Sequence, residues 1–136
     1  MKIIIAGSRT FTDYEKLKFE CEQILIFHQT TSQELEIITG GARGADSLGA
    51  RFAYEKGWRL KTMPADWNKY GKSAGYRRNE DMAKYALEWK QNLEKGEVIR
   101  TSQPMLIAFW DGESKGTKHM IDIANKHNLK IHIIKY

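Results

Sequence analysis

Short runs of β-branched and other apolar residues alternate along this chain with longer amphipathic stretches. Residues 2–6, 34–39, 58–63, 105–110 and 130–135 read as strands, and the segments between them carry apolar side chains at three- and four-residue spacing, as helices do. Such alternation is the pattern of repeated βα units on a parallel sheet, whose strands are covered on both faces and therefore apolar throughout. The expected fold is α/β, a Rossmann-like, open, mostly parallel five-stranded sheet flanked by helices. With 136 residues, no internal repeat and no linker-like stretch, a single domain over residues 1–136 is expected.

The boundaries follow from local chemistry. Asp13 is placed to cap a first helix that runs to about Gln29, with Tyr14, Leu17, Cys21, Ile24 and Leu25 as its apolar stripe. Cys21 is the sole cysteine, which excludes an intrachain disulfide and a multi-cysteine metal site; on that stripe it reads as a buried structural thiol. A second helix starts near Gly44 or Ala45, turns Ala45, Leu48, Gly49, Phe52 and Ala53 to the core, and stops at Gly57. Residues 58–63 alternate apolar and basic side chains, as a strand near the sheet edge would. Pro64 opens a long loop to about Gly75, a third helix is expected from Tyr76 to about Leu93, residues 94–103 read as a polar surface excursion, and 117–127 as the last helix.

The N-terminus passes directly into the first strand, too short for a secretory signal, and no apolar run is long enough to span a membrane, so no membrane partner and a cytoplasmic location are expected. The net charge of +5 is scattered over every segment and does not choose between an anionic small ligand and a nucleic acid. His28, His119, His127 and His132 lack the spacing of a metal site, and neither a metal nor a cofactor is expected.

In an open parallel sheet, ligands sit beyond the carboxyl ends of the strands, where the strand order reverses. Three turns are expected to gather there: Gly7-Ser8-Arg9-Thr10, Gly40-Gly41-Ala42-Arg43-Gly44-Ala45-Asp46, and Asp111-Gly112-Glu113-Ser114-Lys115-Gly116-Thr117. Glycines admit backbone N–H groups to an anion, and a helix start adds free donors and positive potential. Arg9 offers a bidentate contact to phosphate, Arg43 adds charge at a helix start, and Ser8, Ser114 and Thr117 offer hydroxyls, although Thr117 also reads as an ordinary cap. Asp46 is either a first-turn acid that suits the helix dipole, or an acceptor for ribose hydroxyls or a general base. Trp67 reads as a base-stacking side chain or a packing lid, and Trp110 as core or pocket wall. The pattern is not a Rossmann Gly-x-Gly-x-x-Gly. Gly71-Lys72-Ser73 is not a P-loop either, because Asp66 stands where the first glycine would be and no strand immediately precedes the segment.

These three turns, together with Gly75-Tyr76-Arg77-Arg78-Asn79, resemble the SLOG superfamily, and within it the YspA-like, YpsA-related branch of small stand-alone proteins. The resemblance runs from Lys2 to the C-terminus. It implies a Rossmann-like fold with ligand loops after the first, second and fourth strands, a nucleotide or nucleotide-derived ligand of the NAD or ADP-ribose type, and oligomerisation. It also implies that Arg78 and Asn79 face the ligand, with Arg77 solvated. The LOG phosphoribohydrolases of this superfamily carry Pro-Gly-Gly-x-Gly-Thr-x-x-Glu with a catalytic glutamate. Here Gly116-Thr117 is followed by Met120 at the glutamate's place, and Asp111-Gly112-Glu113 replaces Pro-Gly-Gly. Binding as a sensor or sequestering protein is thus the leading expectation. An N-glycosidic hydrolase using Asp46 or Glu113 in place of the missing carboxylate comes second, and a DprA-like single-stranded nucleic-acid binder third.

Overall fold

The computed structural model describes residues 1–28, 35–88, 90–92, 97–99 and 103–136. In chain order the elements are β1 (Lys2–Gly7), α1 (Tyr14–Phe27), β2 (Glu36–Thr39), α2 (Ala45–Lys56), β3 (Arg59–Thr62), α3 (Trp67–Tyr70), a 3-10 turn (Gly71–Ser73), α4 (Ala74–Ala86), β4 (Lys90–Asn92), β5 (Glu97–Ile99), β6 (Met105–Trp110), α5 (Lys115–Lys126) and β7 (Lys130–Lys135). Five strands form one sheet in the order β3-β2-β1-β6-β7, and every pair in it is parallel. The Rossmann-like α/β arrangement read from the sequence is therefore the observed one.

The two faces of the sheet divide the core. Ile3, Ile5, Ile37, Ile107 and Phe109 share one buried cluster with Leu17, Cys21 and Ile24 of α1 and Ala45, Phe52 and Ala53 of α2. Ile4, Ala6, Ile38, Leu106 and Ala108 share another with Met82, Ala83 and Ala86 of α4 and Met120, Ile121 and Ala124 of α5. This is the period of two that puts successive strand residues on opposite faces, here apolar on both. The Cys21 thiol is free and fully buried, and burial pushes its pKa up, which makes it an inert core side chain. On the sheet edge, all four residues of β3 are exposed, in keeping with its alternating basic composition.

Strand order reverses between β1 and β6, which pair from Ile3↔Met105 to Gly7↔Phe109. The chain leaves β1 for α1 on one face and leaves β6 for α5 on the other, so a crevice opens above the β1/β6 pair. That crevice is where the three turns meet.

Several boundaries differ from those read in the sequence. The helix expected from Tyr76 to Leu93 begins at Ala74 and ends at Ala86, where the Leu87 N–H bonds back to Ala83 and Lys84. Beyond it, Lys90–Asn92 pairs antiparallel with Glu97–Ile99 in a separate two-stranded sheet, so hairpin pairing overrides the apparent helical spacing. The excursion expected over 94–103 thus contains β5. The loop expected from Pro64 to Gly75 holds α3, capped by the Asp66 carboxylate accepting from the Lys69 N–H at 3.0 Å, and the 3-10 turn. The expected helix end at Gln29, strand start at Glu34 and helix end at Leu93 lie outside the described residues. Among those described, no helix is long and apolar enough to cross a membrane.

Candidate ligand-binding cleft

Ser8 organises the crevice. Only 2% exposed, it receives three bonds: its hydroxyl accepts from the Asp111 N–H at 3.2 Å, and its carbonyl accepts from Phe11 at 3.2 Å and Ala45 at 3.3 Å. Its own N–H donates to the Phe109 carbonyl at 2.9 Å. The turns after β1, β2 and β6 are thereby tied at one residue.

Around it lies a cleft of about 460 Å³, within the range of small-molecule sites. Its walls include Gly7, Ser8 and Arg9 from the first turn, Ala42 and Asp46 from the second, and Asp111, Ser114, Gly116 and Thr117 from the third, with Arg78 and Asn79 from α4. An adjoining cleft, also about 460 Å³, shares Arg9, Ala42, Trp67 and Arg78 with it and adds Gly40, Gly41 and Arg43. Gly44, Gly112 and Glu113 line neither. Arg77 is exposed, donates to the Ser73 hydroxyl at 3.1 Å and lies over the Tyr70 ring.

Asp46, 5% exposed, anchors the second turn: its Oδ2 accepts from the Ala42 N–H at 3.3 Å, while Ser47 Oγ donates to the Ala42 carbonyl at 2.8 Å. Burial raises the Asp46 pKa, opposed by the Arg78 guanidinium and by backbone N–H groups of Ala42, Gly40 and Gly7. Arg78 Nη1 donates to the Gly40 carbonyl at 2.6 Å, and its Nε donates to Asn79 Oδ1 at 3.1 Å. A side chain at position 40 would collide with the Arg78 guanidinium and stand 2.7 Å from Asp46 Oδ2, so glycine is what lets these two charges close over the loop. Burial lowers the Arg78 pKa, Asp46 raises it, and Arg9 lowers it again. Arg9 is exposed and, among the described residues, has no hydrogen-bond or ion-pair partner.

Asp111 is spent on its own turn. Its Oδ1 accepts from the Glu113 and Ser114 N–H groups, both at 2.8 Å, and these bonds hold its pKa below the usual carboxylate value. Ser114 caps α5 through the Thr117 N–H at 3.3 Å, and the Ser114 and Thr117 hydroxyls are 3.0 Å apart. The cap is thus Ser114 and not Thr117, which lies inside the first turn of α5 and supplies the N–H that Ser114 accepts.

Lys72 and Met82, which the sequence does not single out, also line the cleft, as do Tyr76 of the Gly75–Asn79 motif and Met120. Trp67, read from the sequence as stacker or lid, lines both clefts. Trp110 donates from Nε1 to the Ser114 carbonyl at 3.1 Å and packs against the α4–α5 core, outside both clefts. The sequence bears on His119 only through the lack of metal-ligand spacing; in the structure it stacks on Tyr76 and bonds to Asn79. Met120, read from the sequence as standing at the place of the LOG glutamate, lies on the second turn of α5. Among the described residues, no group of three or more His, Cys, Asp or Glu side chains could hold a metal ion.

The Gene 61 protein of Mycobacterium phage D29 is 27% identical over 139 residues, covering 96% of this chain and 93% of that protein. The family described as YspA, cpYpsA-related SLOG matches residues 1–70, which hold β1 to α3 and the first two turns of the cleft. On the match over more than half its length, and with the fold and convergent turns already described, the chain belongs to the YspA, cpYpsA-related SLOG family.

Proposed function

We propose that the chain binds a nucleotide-derived small molecule, of the ADP-ribose or NAD type, and holds it unchanged as a sensor or sequestering protein. The family supports a nucleotide-related ligand or LOG-like chemistry. The observation that carries the reading is the set of positive groups on one cleft: the Arg9 and Arg78 guanidiniums, which repel each other, beside the starts of α2 and α5. Two like charges held this way, with the buried one accompanied by Asp46, favour an anion between them.

Three features favour binding over hydrolysis. Met120 lines the cleft where LOG enzymes carry glutamate, so a thioether stands where a carboxylate would act. Both carboxylates on the main cleft's wall, Asp46 and Asp111, already accept backbone N–H groups that shape the turns. Glu113, the other candidate substitute, is exposed and lines neither cleft.

Calorimetry with AMP, ADP, ADP-ribose and NAD tests this, with chromatography of each compound after prolonged incubation. At least one binds and all are recovered intact. Arg9→Ala weakens that binding by roughly tenfold to a hundredfold, the worth of a charge-assisted hydrogen bond. Because Arg9 is exposed and has no partner among the described residues, the same variant melts at the wild-type temperature. Absence of binding by all four compounds, or release of free base, refutes the reading.

A further inference from the structure

We propose that Trp67 and Tyr76 form a subsite that stacks on a nucleobase, positioned relative to the phosphate end of the cleft by the side-chain chain Arg78–Asn79–His119. The inference rests on the reading of the cleft as a phosphate-ligand site and names what lies at its other end.

Trp67 and Tyr76 line the same cleft as Arg9 and Arg78, yet they remain 51% and 48% exposed. A lone exposed aromatic is ordinary on a protein surface. These two differ in being braced from behind. Trp67 opens α3, whose start is fixed by the Asp66 cap, and its indole edge rests on Gly75, where an added Cβ would lie 3.3 Å from Cη2. The Tyr76 ring lies on the His119 imidazole, with centroids 4.2 Å apart and planes 20° from parallel. One face of the phenol is covered by this stack, and nearly half of the residue is still open to solvent.

His119 is held in turn. Its Nδ1 is 3.1 Å from Asn79 Nδ2, the same amide nitrogen that donates to the Gly116 carbonyl at 3.3 Å. Asn79 Oδ1 accepts from Arg78 Nε, so the amide orientation is fixed and Nδ2 is the donor to His119. The imidazole then accepts at Nδ1 and carries its proton on Nε2. Burial lowers its pKa, which favours this neutral form. His119 is thus a positioning residue: it braces Tyr76 and connects that ring to the arginine at the anion end. A ligand with phosphate and a planar ring matches both ends of this network, and every nucleobase offers a π-face for such a contact.

Calorimetry on the full chain with pyrophosphate, ribose 5-phosphate, ADP and ADP-ribose tests the subsite. Wild type binds the two base-bearing compounds about tenfold or more tighter than the two without a base. Trp67→Leu and Tyr76→Leu each weaken the base-bearing compounds by about tenfold and change the other two by less than about twofold, while Trp67→Phe retains most of the wild-type preference. The half-exposed positions of both side chains leave the fold intact, which a matching melting temperature verifies. Equal affinity of wild type for ligands with and without a base, or an equal loss for all four in the leucine variants, overturns the subsite while leaving the phosphate site standing. Binding of none of the four overturns both.

Discussion

Arg78→Met destabilises the protein by about 3 kcal/mol, the upper end of the cost of leaving a buried acceptor unsatisfied, because it also takes away the cation nearest a buried carboxylate. The guanidinium is half-buried, neighbours the buried Asp46 carboxylate and holds the Gly40 carbonyl at 2.6 Å. Methionine fills similar space but leaves Asp46 charged in a poorly solvated place, with only backbone N–H groups for company. The double variant Arg78→Met/Asp46→Asn recovers part of the loss, because the uncompensated charge is gone; the Gly40 bond is not restored. Urea unfolding of the four proteins in the cycle measures the coupling.

The same pair sets a pH signature. Burial raises the Asp46 pKa in the folded chain above its ordinary value, and removing Arg78 raises it further. A carboxyl whose folded pKa lies above the unfolded one stabilises the fold most below the unfolded pKa, and that contribution is lost as pH rises through the folded pKa. The deficit of Arg78→Met relative to wild type therefore shrinks as pH falls through the Asp46 value of the variant. A deficit independent of pH would assign the loss to the Gly40 bond alone.

Much of the scaffold was legible because its signals are local. The β-branched runs of β1 and β2, the glycines that stop them, and the Gly44 start and Gly57 end of α2 all lie within a few residues of the feature they specify. The convergence of three turns followed from sheet topology alone, since βα units on a parallel sheet put their loops at one end. What was not legible depends on partners far along the chain. Asp46 looked like a first-turn acid at a helix start; that it is buried against its own loop and beside Arg78 is set by how α4 crosses the β2 turn. Tyr76 and His119 sit on different helices, and no spacing rule connects them. The end of α4 is a different, local matter: pairing of Lys90–Asn92 with the nearby Glu97–Ile99 outweighs the helical spacing that continues past Ala86.

Gly44→Ala is expected to be as damaging as the loss of Arg78, through sterics instead of charge. Gly44 has φ +81° and ψ −133°, a region that residues with a Cβ avoid at about 1–3 kcal/mol. An added methyl would also collide with the Ser8 carbonyl and stand 2.6 Å from Arg9 Cα and 2.7 Å from the Arg9 carbonyl carbon. All are backbone atoms, so no rotamer change relieves the contact. The Ser8 carbonyl is the acceptor for the Ala45 N–H, so any shift that makes room pulls the start of α2 away from the first turn. Strain and overpacking together amount to about 3–4 kcal/mol, or a fall in melting temperature of roughly 10 °C for a domain of this size. Gly71→Ala is the matched control. It has φ +56° and the same ψ of −133°, but nothing lies within 4 Å of an added Cβ, so only the conformational part of the penalty applies. If the two alanine variants melt at the same temperature, contact between the first and second turns does not hold the cleft together. If Gly44→Ala melts several degrees lower and also binds ligand more weakly than Gly71→Ala does, the close approach of those two backbones is what sets Arg9 and the start of α2 on the same anion.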